Sequence, residues 1–213
     1  MTSGRREGHG VRLAGMRTVL LPDDSRFPAA LRVIPRPPKR LYVLGDPEVL
    51  TEGLAVVGAR KATPYGIGAA KRFARLAAQR GIAVISGGAR GCDAAAHEAA
   101  LSEGAPTVAF LGGGCDVPYP REHAGLFERI ALSGGAVVSE HAWDAPALPQ
   151  QFRTRNRLIA GLARATLIVE AGLPSPPPMK RLRRVVTCWW CPAPSTRLPR
   201  RGRIVCSCRG RFP

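Results

Sequence analysis

Two glycine- and arginine-bearing segments hold the residues best suited to chemistry: Val56-Val57-Gly58-Ala59-Arg60-Lys61-Ala62-Thr63-Pro64-Tyr65-Gly66 and Ser86-Gly87-Gly88-Ala89-Arg90-Gly91-Cys92-Asp93. Each follows a short apolar run and precedes a helical one. Glycine lets the backbone approach a ligand and leaves amide N–H groups free, the following helix points its N-terminus at the same spot, and an arginine adds a full charge. Together the segments read as an anion cradle suited to phosphate, with Gly58, Ala59 and Arg60 on one side and Ser86, Gly87 and Gly88 on the other. The Arg60 guanidinium would grip phosphate oxygens as a planar fork; the plainer alternative is a surface arginine paired with a local carboxylate. Ser86 would donate its hydroxyl, and Arg90 points either at the ligand or to solvent. Lys61 reads as a solvated charge and Asp93 as the N-cap of the next helix.

Further along, Gln151-Phe-Arg-Thr-Arg-Asn-Arg-Leu-Ile-Ala-Gly-Leu162 places Arg153, Arg155, Asn156 and Arg157 ahead of a short apolar helix. Arginines alternating in this way cannot all be buried. One would anchor the loop to a carboxylate while the others widen a basic rim. Tyr119, between two prolines after Gly112-Gly-Gly-Cys115, would stack on a base or close the core.

Catalytic candidates are weak. His97 has no Cys or His partner at ligand spacing, Cys115 has no His–Asp pair, and Glu140 and Glu170 serve as an acid/base pair or simply hold loop amides. No P-loop motif is present, and no Gly-x-Gly-x-x-Gly follows the first strand, so nucleoside triphosphate and dinucleotide chemistry lose support. Cys188-x-x-Cys191 and Cys206-x-Cys208 would supply four thiolates for zinc, but the second pair is too tightly spaced for a usual knuckle. We therefore expect no catalytic residues, cofactor or metal.

The net charge is +17 over 213 residues, which implies a polyanionic partner. Its distribution is uneven. From Gly172 onward there are nine Arg and one Lys with no acid, whereas the preceding residues carry 22 basic and 15 acidic side chains. No apolar run approaches the roughly 18 residues of a membrane span, and no export signal leads the chain. The expectation is a cytoplasmic protein without disulfides, although it contains six cysteines.

The elements that must position these residues alternate regularly from Leu54. Apolar strands are expected at Leu54–Val57, Ile82–Ser86, Thr107–Leu111, Ala136–Ser139 and Thr166–Glu170, after a short strand at Leu41–Gly45. Helices are expected at Gly66–Arg80, Asp93–Glu103, Glu122–Ser133 and Arg157–Ala163. Strands that are apolar throughout indicate burial on both faces, hence a doubly wound, mainly parallel α/β sheet with helices on both faces. Ligands in such a sheet sit at the carboxyl ends of the strands, where the glycine loops fall. Three segments result: a disordered leader over residues 1–21, an α/β domain over 22–171, and a basic tail over 172–213. The tail, with eight prolines in 42 residues, reads either as a genuine basic metal-binding extension or as unselected sequence of the kind a frameshift produces, and the second is favoured. The true start is open between Met1 and Met16.

These motifs resemble, in order, those of the DprA (Smf) family of DNA-processing proteins. The resemblance runs from about Pro22 to Ala171 and rests on Leu41-Tyr-Val-Leu-Gly-Asp46, Val56-Val-Gly-Ala-Arg60 with Thr63-Pro-Tyr-Gly66, and Ile85-Ser-Gly-Gly-Ala-Arg-Gly-Cys-Asp93 with Ala96-His97. It continues through Leu111-Gly-Gly-Gly-Cys-Asp116 with Tyr119-Pro120, Ser139-Glu140, and Phe152 with Arg155-Asn-Arg-Leu-Ile-Ala-Gly161. The resemblance implies a Rossmann-like domain that binds single-stranded DNA in natural transformation and helps load the recombinase RecA. It implies a phosphate pocket at Gly58, Ala59, Arg60, Ser86, Gly87 and Gly88; Ala59 stands where serine is usual, and Cys92 where an aliphatic residue is usual. The family also forms homodimers, but the half through which it pairs and contacts RecA has no counterpart after Ala171. The rival reading is a Rossmann-like nucleoside monophosphate phosphoribohydrolase, whose Pro-Gly-Gly-x-Gly-Thr-x-x-Glu motif the chain lacks. A further possibility is that the tail binds nucleic acid by itself.

Overall fold

Short apolar runs bounded by glycine build one seven-stranded sheet. The computed structural model describes residues 12–170. In chain order the elements are β1 (Arg17–Leu20), α1 (Ala29–Arg32), β2 (Leu41–Gly45), β3 (Gly53–Val57), α2 (Pro64–Ala78) and β4 (Val84–Ser86), followed by α3 (Cys92–Ser102), β5 (Thr107–Phe110), α4 (Ala124–Leu132), β6 (Ala136–Ser139), α5 (Pro149–Leu162) and β7 (Ala163–Ile168). The strand order is β1-β2-β6-β5-β4-β3-β7. Strands β3 to β7 are mutually parallel, and β1 and β2 add an antiparallel edge. The order reverses at β3: β4, β5 and β6 are laid in turn on one side of it, and β7 on the other.

Every residue of β4, β5 and β6 is buried, as a sheet covered on both faces requires. Successive side chains go to opposite faces. Ala55, Ile85, Val108, Phe110 and Val138 pack with Leu158, Ile159 and Leu162 of α5. Val56 and Val84 pack on the other face against Ala70, Ala74 and Ala77 of α2 and Ala95, Ala96 and Ala99 of α3. On that same side Ala109 and Val137 meet Leu126, Phe127 and Ile130 of α4. The alanine-lined faces let α2 and α3 lie close together, and Pro64 at the first position of α2, after the Thr63 N-cap, sets where that helix begins.

His97 is fully buried within this layer and hydrogen-bonds Thr107 Oγ1 through Nδ1 at 2.8 Å. Burial pushes its pKa down to about 3, so it is a neutral packing residue at physiological pH.

The fold class expected from sequence is the one observed, with four differences of extent. The stretch read as a leader contains β1, which pairs with β2 from Arg17 to Leu20, and Leu13 is buried against α4. The proline-rich lead-in is broken by α1. Residues Arg121–His123 form a separate 3-10 turn before α4. Most consequential, α5 begins at Pro149 rather than Arg157, so the arginine-rich segment read as a loop is helical. Its polar residues hide the apolar periodicity, whereas the start signals are local: Pro149 takes the first helical position, and the Leu148 N–H donates to Gln151 Oε1 at 2.6 Å. The tail over 172–213, with its four cysteines, lies outside the described residues. Replacing Gln151 by Ala should lower stability by about 1 kcal/mol; an unchanged urea midpoint would show that Gln151 does not cap α5.

Candidate nucleic-acid interface

At the carboxyl ends of β3 and β4 the chain leaves the sheet, and the N-terminal half of α5 crosses above. Between them lies a cleft of about 710 Å³ lined by Gly58, Arg60, Ala89 and Asp93 from the two loops, Tyr119, and Phe152, Arg153, Arg155 and Asn156 of α5. Because α5 starts early, Pro149, Phe152, Arg153 and Asn156 recur at three- and four-residue spacing and share the face turned to the cleft.

The floor holds two buried ionisable side chains that act on each other through their fields, with no salt bridge between them. Arg155 is 4% exposed and Asp93 6%. Asp93 Oδ2 accepts the amides of Gly87 at 3.2 Å and Ala89 at 3.3 Å, so the carboxylate ties down the second glycine loop from within α3. Burial pushes the Asp93 carboxyl up, while the charge of Arg155 and the loop amides pull it down. Burial lowers the Arg155 guanidinium to about 10, with Asp93 opposing that shift, and Arg155 therefore stays charged at neutral pH. Among the described residues its Nε and Nη1 have no hydrogen-bond partner. Gly87 is required beneath it, because a Cβ there would sit 1.8 Å from Nη1.

The walls carry free cations and a ring pair. Arg60 is exposed, with its guanidinium 5.6 Å from the centre of the Phe152 ring, and forms no ion pair with a carboxylate among the described residues. The Tyr119 ring lies 5.2 Å from that of Phe152. Gly112 is the glycine that admits Phe152, since a Cβ there would meet the ring at 2.9 Å. The far end of the first loop is anchored by Glu170, which accepts from the Thr63 N–H and hydroxyl, both at 3.0 Å.

The structure thus brings Gly58, Arg60, Arg153, Arg155 and Asn156 together around one cleft, with Ala59 joining the two loops by accepting from the Cys92 N–H at 3.3 Å. Other expected contacts lie elsewhere. Ser86 is buried and donates to the Val56 carbonyl at 2.6 Å, so its hydroxyl is committed to the sheet. The Gly87 amide is taken by Asp93, and Gly88, at φ +65°, packs over Phe127. Arg90 pairs with Glu122 on the surface, and Arg157 with Glu140 at 2.5 Å outside the cleft. Asp93 is not the N-cap, a position held by Gly91; it sits in the first turn of α3 and caps the loop instead. Glu140 and Glu170 hold other groups and form no acid/base pair in the cleft. Among residues that sequence reasoning did not assign, Phe152 is the most prominent, and its spacing to Arg153 and Asn156 was the available signal. No group of His, Cys, Asp and Glu suited to a metal occurs among the described residues, and none of their helices is long and apolar enough to cross a membrane.

A doubly wound sheet with a cationic cleft at its carboxyl edge defines a Rossmann-like domain. Residues 18–176 match the family model of the DNA recombination-mediator protein A, and the chain belongs to that family. It is 42% identical over 171 residues to a putative DNA processing protein DprA of Mycobacterium tuberculosis, covering 74% of this chain and 44% of the relative. It is likewise 42% identical over 158 residues to protein Smf of Escherichia coli, covering 73% and 42%. The chain therefore spans less than half the length of these relatives. The crystal structure of DprA from Streptococcus pneumoniae superposes with a TM-score of 0.68 at 32% identity, covering 75% of this chain and 56% of that one. DprA from Helicobacter pylori, whose structure concerns its single-stranded DNA binding mode, gives 0.67 at 31%, covering 76% and 72%.

Asp93→Ala leaves two loop amides without their acceptor and a buried arginine without its counter-charge. Its expected cost is roughly 3 kcal/mol, read by urea denaturation. A loss below about 1 kcal/mol would mean that the carboxylate does not organise the floor.

Proposed function

We propose that this domain binds single-stranded DNA without regard to sequence, through its phosphates, as a DNA-processing protein of recombination and transformation. The observation that carries the reading is the Arg155 guanidinium, a buried cation with two unpartnered nitrogens at the floor of a cleft whose rim presents Arg60 and Arg153. An arginine buried without an ion-pair partner is costly, and an anion entering the cleft supplies negative charge beside it. The H. pylori relative's single-stranded DNA binding agrees with this choice of anion.

Phosphate contacts would come from Arg60, Arg153 and Arg155, with Gly58 and Ala59 allowing close approach and Asn156 offering an amide. Phe152 and Tyr119 give sequence-tolerant apolar surface beside them. The one acid lining the cleft among the described residues, Asp93, is occupied with loop amides, which favours binding over hydrolytic chemistry. In this role the protein would act in the cytoplasm and hand the strand to a RecA-type recombinase, the partner the family resemblance implies.

Fluorescence anisotropy of the full chain with an oligothymidine and with duplex DNA, across a salt series, tests the proposal. Single strand should be preferred. Arg60→Ala should weaken its binding about tenfold and reduce the slope of log K against log salt by about 0.7. Unchanged affinity and slope in Arg60→Ala would refute the cleft as the site, and equal affinity for both DNAs would refer binding to undirected charge.

A further inference from the structure

A second cleft, of about 470 Å³, lies beside the first elements of the domain and is not part of the site above. Its wall is the segment leading into β2, which contributes Arg36, Lys39 and Arg40, and Arg157 of α5 completes it. Four cations thus face a single carboxylate, Glu140, which is already bonded to Arg157. Among the described residues the lining therefore carries a local excess of positive charge.

Two further observations show a ligand-shaped deficit rather than a solvated surface. Arg157 Nη1 and the ring Nε2 of His141 are shielded from solvent and have no hydrogen-bond partner among the described residues. Arg36, between Pro35 and Pro37, is held at φ +58°, the left-handed region that a non-glycine residue occupies at a cost of about 1 kcal/mol or more. The flanking prolines fix their own φ and so stiffen the backbone on both sides of Arg36. Tyr42, whose ring lies edge-on to Trp143 at 5.4 Å, adds a half-buried aromatic surface to the same wall.

We propose that this cleft is a second phosphate-binding subsite, occupied by the continuation of a single strand held in the first cleft. The inference rests on the single-strand reading above. Continuity comes from α5, which presents Arg153 and Arg155 to the first cleft and Arg157 to the second. From Arg153 to Arg157 is about one helical turn, roughly 6 Å along the axis, a step that a sugar-phosphate backbone spans. Arg157 adds its charge to this wall, and its pairing with Glu140 fixes the guanidinium in place. A short oligonucleotide would fill only the first cleft, and a longer one both.

The test uses the full chain and two oligothymidines, of about 6 and about 20 nucleotides, in anisotropy titrations across a salt series. Lys39→Ala/Arg40→Ala removes two exposed cations without touching the core. The double variant should bind the long strand about tenfold more weakly, with a salt slope lower by about 1.4, and bind the short strand as the parent does. Arg60→Ala should weaken both lengths. If the double variant keeps the parent's affinity and slope for the long strand while Arg60→Ala loses affinity for both, the second subsite is refuted and the first cleft stands. If the double variant weakens both lengths equally, the cationic segment acts through general charge, and the subsite is again refuted. Should Arg60→Ala bind both lengths as the parent does, the first cleft fails, and with it the continuation proposed here.

Discussion

The organising constraint is the burial of Asp93 and Arg155 between the glycine loops and α5. Neither charge is tolerable alone at that depth, and each is held by what surrounds the other: Asp93 by the amides of Gly87 and Ala89, Arg155 by the field of Asp93. The loops take their shape from this arrangement. With Asp93 satisfying the second loop internally, that loop forms a rigid bed for Arg155 instead of an open anion nest. The cationic floor of the cleft is therefore a side chain delivered from above by α5, and the glycines beneath serve mainly to make room for it.

The sheet explains why this can occur at one place. All parallel strands end at the same edge, and the order reverses at β3, so the loops after β3 and β4 emerge side by side beneath the N-terminal half of α5. Glu170, just beyond β7, reaches back to Thr63 and fixes the first loop from the opposite side of β3. Packing then fills in around charge. Gly112 admits Phe152, Phe152 meets Tyr119, and Arg60 stands beside the pair. Below the loops, alanine-rich α2 and α3 supply a dense support with little freedom to shift.

The fold class was legible in the sequence because its signals are local. Wholly apolar runs of strand length, bounded by glycine and separated by helical stretches, admit few arrangements other than a covered parallel sheet. β1 escaped because a four-residue edge strand beside an arginine-rich segment leaves no periodic trace. The site was legible in part. Gly58, Arg60, Arg153, Arg155 and Asn156 were identifiable from residue type, glycine spacing and family motifs, whereas Phe152 required knowing that α5 begins at Pro149. Ser86, Arg90 and Arg157 have the right chemistry for a phosphate, but their partners, the Val56 carbonyl, Glu122 and Glu140, are distant in the chain and meet them only after folding.

The sequence by itself determined the alternation of elements, the glycine loops at strand ends, the strongly basic balance and the family. Each follows from short-range pattern or residue identity. Tertiary structure alone decided which charges are free. An arginine becomes a ligand contact or an ion-pair partner according to what stands within about 4 Å of it, and that distance is set by contacts between residues tens of positions apart. Arg153, Arg155 and Arg157 illustrate the division: three similar side chains at two-residue spacing on one helix become a rim cation, a buried floor and the partner of Glu140, because Arg155 leaves the helix on a different side and Arg157 lies one turn beyond Arg153.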